Sequence, residues 1–202
     1  MPFWRERDPL VLASRSSARR ALLEAAGIPL EVDPADLDER ALERSASSLV
    51  RGAVAQFLSR EKAAAVSRAR PGRLVLAADQ VASLGAERFS KPADQAMARA
   101  QLSMLSGRSH ELHSAITFAQ DETVLFEHVA VARLTMRPLS EAFLDAYLDA
   151  AGRAVTASVG AYQVEGLGIQ LFERIEGDYF TVLGLPLISA LDFLRRRGCL
   201  LA

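Results

Sequence analysis

The sequence predicts an α/β fold, and three observations carry that prediction. Short apolar runs stand at Leu10–Ala13 and Leu74–Ala78, long enough for buried strands and too short for helices. Helical patterns with identifiable start and stop residues lie between and beyond them. Strand and helix signals alternate to the end of the chain, with no repeat, low-complexity tract or clear linker. At 202 residues, 50% of them hydrophobic, the chain is expected to form a single domain over 1–202 with a sizeable core.

Each element follows from local signals. Leu10–Ala13 reads as the first strand and Ser14-Arg15-Ser16-Ser17 as a tight connection. Ala18–Ala26 reads as a helix with Leu22 and Leu23 inward, which Ser16 or Ser17 can cap and Gly27 can stop. Pro29–Val32 is extended, and Asp33–Arg44 is acidic and irregular. Ser48–Ala69 carries the longest helical pattern, with Val50, Val54, Phe57 and Leu58 on one face, and Pro71-Gly72 ends it. Leu74–Ala78 is a second buried strand that ends at Asp79. Pro92–Leu105 is expected as a helix opened by proline and closed by Gly107. His110–Phe118 and Val124–Leu134 are extended runs joined at Gln120-Asp121-Glu122, which predicts an antiparallel pair. Ser140–Ala151 is helical, Ala157–Tyr162 and Ile169–Ile175 are extended or loop, and Pro186–Arg197 closes the chain as a helix before Gly198.

Charge and cysteine content exclude several function classes. The net charge is -1, so nucleic acid is not expected to be bound by bulk charge, and 6% aromatic residues offer few stacking platforms. The single cysteine, Cys199, cannot form an internal disulfide, which points to a cytoplasmic protein. No Cys/His cluster has zinc spacing. No apolar run approaches the ~20 residues of a transmembrane helix, and Met1–Asp8 is too charged for a signal peptide, so no membrane partner is expected. Of 24 basic residues all but Lys62 and Lys91 are arginine. A lysine that survives such bias can be one whose compact ammonium arginine cannot replace.

Three places could carry chemistry. Ser14, Ser16, Ser17, Arg19 and Arg20 lie on a strand–turn–helix, where free N–H groups, hydroxyls and guanidinium groups suit a phosphate. The same pattern also fits a capped helix with solvated arginines. It is neither a Walker loop nor a Rossmann fingerprint. Asp79, at a strand end, could hold a metal ion, accept a proton from water, or simply bond turn N–H groups. Ser90-Lys91-Pro92 places a lysine before a helix, either for the same anion or as an exposed loop charge. Lys62 lies in a long helix, where the plain alternative is a surface charge. Glu165-Gly166 and Asp38-Glu39 add acidic candidates, and His110 and His113 are strand residues of unassigned role. Cations with carboxylates, and no nucleophile–base dyad, suit metal-assisted attack of water on a polyphosphate.

The ordered motifs resemble the Maf family of nucleoside triphosphate pyrophosphatases, also described as septum-formation inhibitors. They are Leu12-Ala13-Ser14-Arg15-Ser16-Ser17-Ala18-Arg19-Arg20-Ala21-Leu22-Leu23, Arg60-Glu61-Lys62-Ala63, Ala78-Asp79-Gln80-Val81, Lys91-Pro92, Leu105 to His110, Gly160 to Gly168 and Gly184-Leu185-Pro186-Leu187. The resemblance spans Leu10 to Gly198. Asp79-Gln80, Glu165-Gly166, Arg19 to Glu24 and Leu171 to Arg174 are similar to the 7-methyl-GTP pyrophosphatase branch. Ser17 stands where the motif has proline, and Ala18 where that branch tends to have an aromatic residue.

The resemblance implies a Maf/ITPase-like α/β fold, an elongated mixed sheet flanked by helices in two lobes around a central cleft, and often a homodimer. It implies cleavage of a nucleoside triphosphate to the monophosphate and pyrophosphate with a divalent cation, magnesium or manganese, in the clearance of modified nucleotides. Asp79 would be the proton acceptor or metal-linked base. Arg19, Lys62 and Lys91 would grip the triphosphate with help from Ser14. Glu165 would support metal or substrate, and Glu39 is a further metal candidate. The alternative is a nucleotide-binding regulator of division with little turnover; an intact Asp79, Lys62 and Lys91 favour the enzyme.

Overall fold

The computed structural model describes residues 3–46 and 49–201. The elements in chain order are β1 (Leu10–Ala13), α1 (Ser17–Ala25), β2 (Leu30–Val32), α2 (Glu39–Ser45), α3 (Arg51–Ala69), β3 (Val75–Leu84), β4 (Glu87–Phe89), α4 (Gln95–Leu105), β5 (Ser109–Gln120), β6 (Thr123–Met136), α5 (Glu141–Ala151), β7 (Phe172–Glu176), α6 (Tyr179–Val182) and α7 (Leu187–Arg196). Short 3-10 turns occupy Gly152–Thr156, Val159–Ala161 and Leu167–Leu171. The seven strands form one mixed sheet in the order β2-β1-β3-β5-β6-β7, with β4 paired to β3. The α/β class is therefore as the sequence predicts. The chain divides into two compact units, one comprising Met1–Asp79, Ser114–Ala130 and Gly184–Ala202, the other Gln80–His113 and Val131–Leu183.

In the first unit β1 runs parallel to both β2 and β3, and all four of its residues are buried. A strand covered on both sides needs the continuous apolar run that Leu10–Ala13 supplies. Ser16 caps α1 by accepting from the Arg19 amide. Beyond the end of α1, Gly27, at φ +75, sends its N–H to Glu24 while Ile28 bonds Leu23, the left-handed closure that favours glycine. Helix α3 lays Ala63 and Val66 on Val11, Ala13, Val75, Ala77 and Ala119. Small side chains there let the helix approach the sheet closely. The β5–β6 connection is a two-residue turn whose Asp121 and Glu122 both have positive φ, the hairpin geometry of an antiparallel pair.

The second unit has its own core. Leu102 and Leu105 of α4, Leu134 and Met136 of β6, and Leu144 and Leu148 of α5 are buried together. Strands β6 and β7 pair antiparallel, with an irregularity between Thr135 and Met136.

Several local expectations change. Within Asp33–Arg44 an ordered helix begins, because Asp38 caps α2 by accepting from the Ala41 amide. Ser48 lies outside the described residues, and α3 starts at Arg51. Val50 is 78% exposed, so it lies off the buried face that Val54 and Leu58 share. Pro92 does not open α4; Asp94 caps it and Pro92 is a buried residue of the preceding loop. Strand β3 does not end at Asp79 but continues to Leu84, since Ala82 and Leu84 join the core of the second unit. The short helix α6 carries no apolar period that the sequence could show.

Candidate active site

In the first unit the fold gathers Ser14, Arg19, Glu39, Lys62 and Asp79. The pairing of β1 with β3 stops at Ala13↔Ala77. Ser14 and Ala78-Asp79 therefore leave the parallel part of the sheet as neighbours. Asp79 lies within a continuous strand yet past the end of its β1 partner, where open α/β sheets offer ligand sites. Lys62 reaches it from α3. Residues at spacings of three and four share a helical face, and Ala55, Leu58, Ser59, Lys62, Ala63 and Val66 are all buried. Lys62 is thus an inward residue, not a surface charge.

The geometry is that of a charged cluster with donors to spare. Lys62 Nζ donates to Asp79 Oδ1 at 2.6 Å and stands 3.0 Å from Glu39 Oε1. Lys62 and Asp79 are 9% and 8% exposed, so this is a buried pair with Glu39 on its more open side. Arg19 Nε donates to the Gly184 carbonyl at 2.8 Å, and Nη1 donates to the Ala78 carbonyl at 2.6 Å and to Ser14 Oγ at 3.2 Å. Those bonds commit three of the five guanidinium N–H donors and leave the two on Nη2 for a ligand. Ser14 Oγ also accepts from the Ser16 amide, so its own O–H proton remains to be given. Arg20, by contrast, pairs with Glu24 on an exposed face.

Burial shapes the electrostatics. Desolvation pushes the Asp79 carboxyl above its ordinary value, against the opposing pull of Lys62 and Arg19. Desolvation likewise lowers Arg19, while Asp79 and Glu39 work to raise it. Arginine stays charged throughout, and the carboxylate becomes a better proton acceptor than a solvated aspartate.

The second unit holds the remaining candidates. Lys91 is exposed, but its backbone is pinned: Gln101 of α4 donates to the Ser90 carbonyl at 2.8 Å, and Pro92 is buried. Gln101 was not legible as a support, because nothing in its spacing marks it. Glu165 is exposed on a turn closed by Gly166 N–H to Gln163 O at 3.2 Å. Gln80, which follows Asp79, donates through Nε2 to the Thr181 and Val182 carbonyls, each at 3.1 Å.

Among the described residues no group of three or more His, Cys, Asp or Glu converges as a metal cage. Glu39 and Asp79 offer hard oxygen donors around one ammonium. A pair of carboxylates suits magnesium or manganese that also takes phosphate oxygens and water.

A family model described as Maf-like protein matches residues 9–197. The chain belongs to the Maf family. Among Maf relatives, a nucleoside triphosphate pyrophosphatase from Rhodopseudomonas palustris is 53% identical over 200 residues, 99% of either chain. One from Bradyrhizobium diazoefficiens is 55% identical over 195 residues, 96% of either chain. A 7-methyl-GTP pyrophosphatase from Brucella abortus is 49% identical over 193 residues, 95% of this chain and 97% of the relative. A solved HAM1 protein from Coxiella burnetii superposes with a TM-score of 0.42 at 18% identity over 63% of this chain and 72% of its own, too low a likeness to carry an argument. In this Maf chain the two unusual motif residues, Ser17 and Ala18, are the first two residues of α1.

Proposed function

We propose that the chain is a nucleoside triphosphate pyrophosphatase, hydrolysing the α–β phosphoanhydride to a monophosphate and pyrophosphate in nucleotide-pool housekeeping. The observation that carries this reading is the buried Lys62–Asp79 pair beside an Arg19 whose Nη2 is uncommitted. Lys62, Arg19 and Ser14 bind phosphate oxygens and offset the charge that builds on them. Asp79 Oδ1 is engaged by Lys62, which leaves Oδ2 to take the proton of the attacking water. The water oxygen bonds phosphorus, the bridging P–O bond breaks, and its electron pair leaves on the departing phosphate group. Lys91 and Glu165, both in the second unit, are the further substrate-binding candidates of this reading.

Asp79 and Glu39 would hold a divalent cation, which supplies charge neutralisation at the phosphate oxygens. The relatives at about 50% identity support the reaction, and the Brucella abortus relative, with Asp79-Gln80 and Glu165-Gly166, supports 7-methyl-GTP as the substrate. A cytoplasmic homodimer completes the reading.

The test is pyrophosphate release from 7-methyl-GTP, GTP, UTP, dTTP, CTP and a methylated pyrimidine triphosphate, with magnesium and with manganese. Preference for 7-methyl-GTP is expected. Preference for UTP or dTTP keeps the reaction and overturns the base assignment. No release from any of them, with either metal, overturns the enzyme.

A further inference from the structure

The turn that bears Glu165 is built under strain. Gly160 and Ala161 stand consecutively in the left-handed region, at φ 78 and 64. For a residue with a Cβ this conformation is strained and persists only where the surroundings over-determine it. Here they do. Tyr147 Oη donates to the Ala161 carbonyl at 3.2 Å. The Tyr162 ring packs so closely on Gly160 that a Cβ there would lie 2.6 Å from its Cε1. On the other side of Glu165, a Cβ on Gly168 would lie 2.4 Å from the Gln163 carbonyl oxygen. Glu165 is therefore suspended between a ring clamp at Tyr162 and a backbone clamp at Gly168.

The ring clamp has one polar fastening. His110 Nε2 lies 2.6 Å from Tyr162 Oη, with the two rings edge to face. Phe172 packs on both rings, at 6.0 Å from His110 and 4.8 Å from Tyr162. His110 is 1% exposed, and its Nδ1 is buried without a hydrogen-bond partner. A neutral imidazole carries one N–H and one lone pair, so whichever tautomer forms the Tyr162 bond leaves the other nitrogen unsatisfied. An orphaned buried polar atom costs stability. An all-apolar cluster of the same shape would avoid that cost, and so the His110–Tyr162 bond is poorly explained as a device for stability alone.

We infer that His110 is a positioning residue: through Tyr162 it sets the Gly160–Gly168 turn in the one conformation that presents Glu165 to the nucleotide. The inference rests on the proposed pyrophosphatase reading for what Glu165 meets, and on the turn geometry alone for the positioning.

The test uses the full chain as Tyr162→Phe, His110→Phe, the double variant and His110→Gln. It reads hydrogen exchange of amides 163–168, and kcat and KM for the triphosphate that the wild type turns over fastest. Tyr162→Phe and His110→Phe should each speed exchange in the turn by ~10-fold or more. Each should lower kcat/KM by ~10- to 100-fold, mainly through KM, while Tm stays within ~5 °C. The double variant should be no worse than either single one, because both remove the same bond. His110→Gln, which keeps a hydrogen-bonding atom, should recover part of the loss. Unchanged exchange in Tyr162→Phe overturns the inference, as do losses that multiply in the double variant. If the wild type releases no pyrophosphate at all, the activity reading fails while the exchange data still decide the positioning. If the wild type is active and exchange is unchanged, the positioning fails and the activity stands. Should His110→Phe fail to fold, Tyr162→Phe carries the test, since it removes a single oxygen atom.

Discussion

Lys62 and Lys91 are the chain's two lysines, and the two units treat them in opposite ways. In the first unit Lys62 is buried on α3, with its ammonium bonded to Asp79 and Glu39. In the second unit Lys91 is exposed on a loop, and only its backbone neighbours are fastened. The carboxylates follow the same division: Asp79 is buried and ion-paired, whereas Glu165 is exposed on a clamped turn. On the proposed function, the difference teaches a division of labour. A desolvated carboxylate with fixed cations is prepared for proton transfer, because the polar environment needs no rearrangement at the moment of reaction. Exposed groups on positioned loops gather a charged ligand at little folding cost.

The largest effect that would sharpen this contrast is expected from Asp79→Asn. Turnover should fall by ~10³-fold, the range of a lost general base, with nucleotide binding within a few fold of wild type. Pyrophosphate release and calorimetric titration measure the two. Turnover close to wild type would remove Asp79 from the chemistry and dissolve the contrast. In the wild type, turnover should fall as pH drops through the raised Asp79 value. The stability contribution of Asp79 has its own sign. Its folded pKa lies above the ordinary 3.8, so that contribution is present below 3.8 and lost as pH rises through the folded value. Asp79→Asn should therefore flatten that part of the curve of Tm against pH.

Lys62→Ala should come next. It removes one partner of a buried pair and leaves Asp79 without its nearest cation, a change that costs about 3–5 kcal/mol. Urea unfolding measures it. A loss of a few tenths would show that Lys62 is effectively a surface residue.

His110 should contribute a pH-dependent effect of about 3 kcal/mol, since its pKa falls from 6.5 to about 4 on burial. A lowered folded value places that stability above pH 6.5, and it is lost as pH falls toward 4. Between pH 7 and pH 4 the urea midpoint of the wild type should fall relative to that of His110→Gln. Parallel curves would mean that His110 is not buried neutral.

The smallest structural effect belongs to Lys91→Ala. Its KM should rise by ~10-fold, about one charge-assisted contact, with stability unchanged within ~0.5 kcal/mol. A Tm loss as large as that of Lys62→Ala would erase the difference between the two units.

The identity of the candidate residues is legible in the sequence itself. Local signals placed β1, α1, α5 and α7 within a residue or so, because each has its own apolar period, cap or glycine stop. Ser14, Arg19, Lys62, Asp79, Lys91 and Glu165 stood out through motif order and through the rarity of lysine. Their state was not legible. The surface-charge alternative for Lys62 stayed open because one-dimensional pattern cannot show which face a helix turns to a sheet. Asp79 reads as a strand end because its strand finds the apolar partners that continue it only in the second unit. The commitment of Arg19 to the Ala78 and Gly184 carbonyls depends on bonds spanning 59 and 165 positions. The His110–Tyr162 bond spans 52. Periodicity, capping and residue choice are local, so the sequence alone determined the elements and the chemical inventory. Burial, pairing and proton affinity depend on neighbours distant in the chain, and only the tertiary structure decided them.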